Sequence, residues 1–309
     1  MRKIIIDADP GTDDTFAILL ATASPEFDIQ GICTVAGNCS LENATQNAFK
    51  ILDLANKNNI PVYAGKDKPL KCEGINAEYV HGSNGMGGIE YLPINRVAEK
   101  VNAVDFIINT VNNNPGEITI VALGPLTNIA TAINKNIEFT KNIKELIIMG
   151  GGVNEGNVTP FAEFNFYRDP DAAKIVFESN LNKVTMLGLN VTHKLPLNPT
   201  LESRLNNSNN PLANFLYNIT RAGAEFDKKE GHGGLILHDP ITFAYLLDNS
   251  IVTVKPAKVT IENEGEKKGM SNVTVLDESN CYVGFEVNCD KFYKLLFKRI
   301  FNWDIKKTS

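Results

Sequence analysis

The sequence has no apolar run long enough to cross a bilayer, which takes about 20 consecutive apolar residues. It is poor in cysteine. The five present, Cys33, Cys39, Cys72, Cys281 and Cys289, are odd in number and lack metal-type spacing. That argues against a disulfide framework and a cysteine-ligated metal site, and reduced thiols of a cytosolic protein are expected. Positive charge is not in excess. A formal net charge of −6 argues against nucleic acid as a partner. No internal repeat, low-complexity tract or linker interrupts the chain. An apolar strand begins almost at once, leaving no room for a signal peptide, so a cytoplasmic location and no membrane partner are expected.

What is present is ordinary globular composition, 43% hydrophobic and 21% charged over 309 residues. A chain of this size buries about 75% of its unfolded surface and needs no staples. Apolar runs alternate with helical patterns. Strands are expected at Lys3 to Asp7, Asp28 to Ala36, Ile118 to Leu123, Lys144 to Met149 and Val184 to Asn190. Helices are expected at Asp13 to Thr22, Leu41 to Lys57, Val101 to Asn113, Leu126 to Asn134 and Pro170 to Glu178. Three more are expected at Leu212 to Lys228, Pro240 to Leu247 and Cys289 to Phe301. This order gives an α/β fold, an open and mainly parallel sheet with helices on both faces. Ile251 to Ile261, Ser271 to Leu276 and Cys281 to Val287 read as a small antiparallel C-terminal appendage. Two glycine-rich stretches, Leu70 to Leu92 and Arg221 to Leu237, read as mobile lid-like loops.

The most informative stretch is Ile4-Ile5-Ile6-Asp7-Ala8-Asp9-Pro10-Gly11-Thr12-Asp13-Asp14. It places four carboxylates on a strand-to-helix turn, where open α/β sheets bind ligands. Carboxylates this close repel, and a hard oxygen-loving cation such as calcium or magnesium relieves the repulsion. A structural reading covers two of them: with Thr12 as N-cap, Asp13 and Asp14 complement the helix dipole. It leaves Asp7 and Asp9 unexplained. Asn38 ends the second strand, where a turn role suffices on local grounds. The Gly124-Pro125 turn leaves the Leu123 carbonyl outside regular pairing, so it can ligate a cation. Met149 is followed by three glycines, then Asn157, Glu163 and Asn165. In an extended segment Glu163 and Asn165 face one side, and a carboxylate beside an amide suits sugar hydroxyls. His238-Asp239-Pro240 precedes an apolar helix, and Asp as N-cap with Pro at the first position is a sufficient structural account.

Taken together these residues resemble the nucleoside hydrolase family, the inosine-uridine-preferring type. The matching segments are Asp7 to Asp14, Gly37-Asn38, Gly124 to Asn128, Met149 to Gly152, Glu163-Phe164-Asn165 and His238-Asp239, in family order. The resemblance implies one Rossmann-like domain, residues 1–309, that hydrolyses the N-glycosidic bond of a ribonucleoside with a tightly held calcium ion. It further implies a homo-oligomer, dimer or tetramer, acting in purine or pyrimidine salvage. Asp9, Asp14, Asp239 and the Leu123 carbonyl match its calcium ligands, and Asp9 also matches the general base that activates water. Asp13, Asn38, Asn157, Glu163 and Asn165 match ribose-binding positions, and Met149 lines the sugar pocket. His81 matches a histidine beside sugar and base, and His238 the acid that protonates the leaving base. Asp7 fits a supporting role. Trp303, the only tryptophan, lies far from the motifs in sequence, which favours the histidine-assisted subclass over the tryptophan-stacking purine-specific one. Phe226 and His232 are candidate base contacts. Two alternatives are kept: a phosphatase of the haloacid dehalogenase type, whose Asp-x-Asp motif departs here at Gly11, and a sugar- or nucleoside-binding module without turnover.

Overall fold

The structure, a computed structural model, describes residues 1–75, 77–91 and 94–305. Leu92, the end of the first glycine-rich stretch, lies outside the described residues. Among them, nine strands form one sheet: β1 (Arg2–Ala8), β2 (Phe27–Thr34), β3 (Val62–Ala64), β4 (Thr119–Ala122), β5 (Glu145–Met149), β6 (Val184–Leu187), β7 (Val252–Ile261), β8 (Ser271–Val275) and β9 (Cys281–Val287). Their order is β3-β2-β1-β4-β5-β6-β9-β7-β8. All pairings from β3 to β9 are parallel, and β7 pairs antiparallel with both β9 and β8.

Continuous apolar strands follow from burial on both faces. Ile4, Ile5 and Ile6 are all fully buried. Ile4 and Ile6 join one core with Phe16, Phe49 and Phe243, and Ile5 joins the opposite core with Ile107, Ile120 and Ile148. The helix Thr12–Thr22 is buried from Thr12 through Ala21. It packs against the helices Pro211–Lys229 and Pro240–Leu247. That packing carries Asp239 over the N-terminus of the first helix.

The C-terminal strands are antiparallel as expected, yet they extend the main sheet, since β9 pairs with β6 through Thr185–Tyr282 and Met186–Val283. Three expectations are corrected. The segment after β6 leaves the sheet at Gly188 and forms the short helix Leu189–Thr192. Residues 221–229 belong to the helix Pro211–Lys229, as the helix expected at Leu212 to Lys228 has it and not as the loop reading of the same residues has it; its last turn carries Lys228 and Lys229, whose charges complement the helix dipole. Glu163 is the N-cap of a helix, Phe164–Arg168, so Glu163 and Asn165 do not share one side of an extended strand. The three-residue β3 and the helices Ile137–Asn142 and Pro199–Asn206 were not anticipated.

Candidate active site

From β1 the chain passes first to β2 on one side and later to β4 on the other, which makes the carboxyl end of β1 the topological switch point. Asp9 stands there. Asn38 follows β2, Leu123 follows β4, Met149 ends β5, and Thr192 and His193 follow β6. Consecutive strands of the parallel sheet therefore bring their carboxyl ends, and the residues that follow them, to the same edge. A cavity of about 390 Å³ opens there.

Its floor is acidic and buried. Asp9, Asp13, Asp14 and Asp239 are each at most 5% exposed. One oxygen from each of Asp13, Asp14 and Asp239 lies within 4.8 Å of the others. Asp9 falls outside that group, and its carboxylate is gripped separately. Asn38 N–H donates to Asp9 Oδ2 at 2.7 Å, and Asn38 Nδ2 donates to the Asp9 carbonyl and to Asp14 Oδ2. The chain passes so near at Gly37 and Gly124 that a Cβ there would fall 1.9 Å from Asp9 Oδ2 and 2.5 Å from Asp9 Oδ1.

The N-cap of the first helix is Gly11, not Thr12, and Asp14 Oδ2 accepts the Gly11 N–H. Asp239 occupies a cap position but accepts no backbone N–H, so its carboxylate is left to the site. Burial pushes Asp9 and Asp239 well above the ordinary carboxylate range, reinforced by neighbouring aspartates. Burial likewise pushes Asp13 to about 8 and Asp14 to about 6. Asp7 lies beneath, its Oδ1 taken by Asn128 Nδ2 at 2.7 Å, and burial holds it at about 7.

The donor set fits a hard cation. Every candidate ligand is oxygen, Asp14 Oδ1 is buried without a partner, and a cation offsets the desolvation that raises these groups. Leu123 also lines the cavity, and its carbonyl accepts Asn165 Nδ2 at 2.8 Å.

One wall presents Met149, Asn157, Glu163 and Asn165 to the cavity. Glu163 is partly spent on structure, because it accepts the N–H groups of Gly151, Asn165 and Phe166. Burial still lifts it to about 7. Asn157 Oδ1 accepts Phe164 N–H. The C-terminal strands brace this wall: Ser271 Oγ accepts Gly152 N–H at 3.0 Å and donates to its carbonyl at 2.7 Å.

The lining also holds all four histidines of the chain, His81, His193, His232 and His238, with Phe226 and Asp227. His81 Nδ1 meets Thr12 Oγ1 at 2.9 Å, and burial lowers the ring to about 4. His238 Nδ1 meets Thr192 Oγ1 at 2.8 Å, and burial, helped by the other imidazoles, keeps it well below the usual histidine range.

Every residue expected at the site thus lines the cavity, except Asp14, which clusters with Asp13 and Asp239, and Asp7, which is fully buried beneath. Sequence reasoning missed His193, its partner Glu155, and Asp227, whose Oδ2 accepts Ile236 N–H at 2.8 Å. A strand-end position after β6 was the signal available for His193.

Comparison with known proteins follows this geometry. A family model described as inosine-uridine preferring nucleoside hydrolase matches residues 4–294. An uncharacterised protein of Schizosaccharomyces pombe is 42% identical over 306 residues, covering 96% of this chain and 98% of that one. The inosine-uridine preferring nucleoside hydrolase of Leishmania major is 38% identical over 304 residues, 96% of each chain. Among solved structures, the purine-preferring ribonucleoside hydrolase from Gardnerella vaginalis superposes with a TM-score of 0.91 at 34% identity, covering 97% of this chain and 98% of that one. On the extent of these matches, the chain belongs to the inosine-uridine preferring nucleoside hydrolase family.

Proposed function

We propose that this chain is a calcium-assisted N-ribosyl hydrolase that splits a ribonucleoside into ribose and free base. The observation that carries the reading is the division of one cavity into a buried carboxylate floor and a wall of four histidines. Cleavage at the acetal-like C1′ passes through an oxocarbenium-like transition state. Such a reaction asks for anions under the sugar, a deprotonated water and a neutralised leaving group. Both halves of the cavity supply what is asked.

Asp14, Asp239, Asp9 and the Leu123 carbonyl would hold the ion, with Asp13 beside them. Calcium supplies a positive charge that orients and polarises a water and the sugar hydroxyls. Asp9, fixed by Asn38 N–H between Gly37 and Gly124, takes the proton of the attacking water. Asp13, Asn38, Asn157, Glu163 and Asn165 bind the ribose, with Met149 against its face. His81 borders sugar and base. With Thr192 Oγ1–H donating to His238 Nδ1, the His238 N–H lies on Nε2, where it can meet the base nitrogen as the C–N bond breaks. The family match removes the phosphatase alternative.

Base preference is left to experiment, since the relatives' names differ on it. The test is release of reducing sugar from inosine, adenosine, guanosine, uridine and cytidine. Ribose release from at least one is expected. Tight nucleoside binding with no release would leave a binding module instead.

A further inference from the structure

Glu155 and His193 have no part in the chemistry assigned above. His193 Nδ1 lies 3.0 Å from Glu155 Oε2. A carboxylate accepting Nδ1–H fixes the ring and its tautomer, and leaves Nε2 as the remaining hydrogen-bonding atom. The His193 ring stands edge-on to His238 at 5.9 Å between centroids, and lies 4.8 Å from His232. His193 also follows Thr192, whose hydroxyl holds His238. One short segment after β6 therefore positions two imidazoles, one directly and one by a hydrogen bond. The side chains of Glu155 and His193 are 33% and 21% exposed, whereas the carboxylates of the floor are almost wholly buried. With the ribose over the floor, the base lies on this histidine side.

We propose that His193, oriented by Glu155, contacts the base, its Nε2 accepting a ring N–H that His238 does not reach. This rests on the ribonucleoside hydrolase reading and adds to it a selection rule. Bases of the lactam type, which carry a ring N–H, are held between two imidazoles. Bases without that N–H leave Nε2 without a partner. Burial, outweighing Glu155, keeps His193 on the neutral side of the histidine range, where Nε2 is an acceptor. A neutral hydrogen bond of this kind, with the cost of leaving one partner unpaired, corresponds to about a 10-fold preference.

The experiment compares kcat/KM for uridine and N3-methyluridine, with p-nitrophenyl riboside reporting folding and sugar binding. Wild type is expected to favour uridine over its N3-methyl form by at least about 10-fold. In His193→Ala that contrast collapses, and the loss on uridine exceeds the loss on p-nitrophenyl riboside by a similar factor. Glu155→Ala, which frees the ring, reduces the contrast in part. No contrast in wild type overturns the proposal. So does an undiminished contrast in His193→Ala, or equal losses on uridine and p-nitrophenyl riboside. An undiminished contrast in Glu155→Ala overturns the orienting role of Glu155. Absence of ribose release from every nucleoside by wild type overturns the ribonucleoside hydrolase reading itself, a result distinct from these.

Discussion

Replacing Gly37 by alanine should displace Asp9, the proposed general base, without changing its chemistry. The backbone at Gly37 is not in the left-handed region, so only space is at issue. An alanine Cβ would stand 1.9 Å from Asp9 Oδ2 and 2.6 Å from Asp9 Cγ. Non-bonded carbon contacts settle at about 3.5 Å, so more than about 1 Å of movement is forced. Asp9 has nowhere to retreat, because Gly124 closes on Oδ1 from the other side and Asn38 N–H holds Oδ2. A misplacement of about 1 Å at a reacting group costs on the order of 10²-fold in rate. Overpacking a tight interior costs about 1–3 kcal/mol of stability. Gly37→Ala is therefore expected to lower kcat for nucleosides about 10²-fold while remaining folded at room temperature. Initial rates of reducing-sugar release, with urea unfolding of the same sample, measure both. Wild-type kcat together with wild-type stability would refute the claim that Asp9 is held by this close approach.

Three further outcomes follow from the site. Without a cation, the folded protein keeps protons on Asp13, Asp7 and Asp14, whose carboxyls burial lifts to about 8, 7 and 6. The unfolded chain has released those protons, so stability falls as pH rises between about 4 and 8, by up to about 1.4 kcal/mol per pH unit for each proton held. Melting curves in chelator across that range should show the fall, saturating calcium should flatten it, and a rise would contradict it. His238→Ala is expected to lose about 10²- to 10⁴-fold on nucleosides and to spare p-nitrophenyl riboside, which needs no proton on its leaving group. Equal losses on both substrates would assign His238 a positioning role. 2′-Deoxyinosine should fall at least about 10²-fold below inosine in kcat/KM, because its missing hydroxyl leaves charged acceptors and a calcium position unfilled. Comparable values would remove the ribose assignment of Asp13, Asn157, Glu163 and Asn165.

Much of this was legible in the chain. The Ile4-Ile5-Ile6 run reads as a doubly covered strand because both of its faces bury. The Asp7-to-Asp14 turn announced a polar site at its end. At Asp239 the sequence left two accounts open, and the structure removes the helix-capping one, because the carboxylate makes no cap hydrogen bond. Other parts were hidden for physical reasons. β3 is three residues long, too short for alternation to show. The helix Phe164–Arg168 begins at a glutamate cap whose side chain serves the backbone and the cavity at once. His193 carries no motif of its own. It matters through Glu155 and His238, 38 and 45 positions away along the chain. The carbonyl of Leu123 was read correctly as outside the ladder, but its hydrogen bond from Asn165 depends on a tertiary contact that no local pattern encodes.

The central claim is that the buried carboxylates hold a calcium ion that catalysis requires. Elemental analysis of purified protein, followed by chelation and add-back under a ribose-release assay, tests it most directly. The account predicts a single calcium per chain, loss of ribose release on chelation, and recovery with calcium but not zinc. Stoichiometric zinc without calcium, or undiminished ribose release in chelator from protein shown to be metal-free, would contradict it.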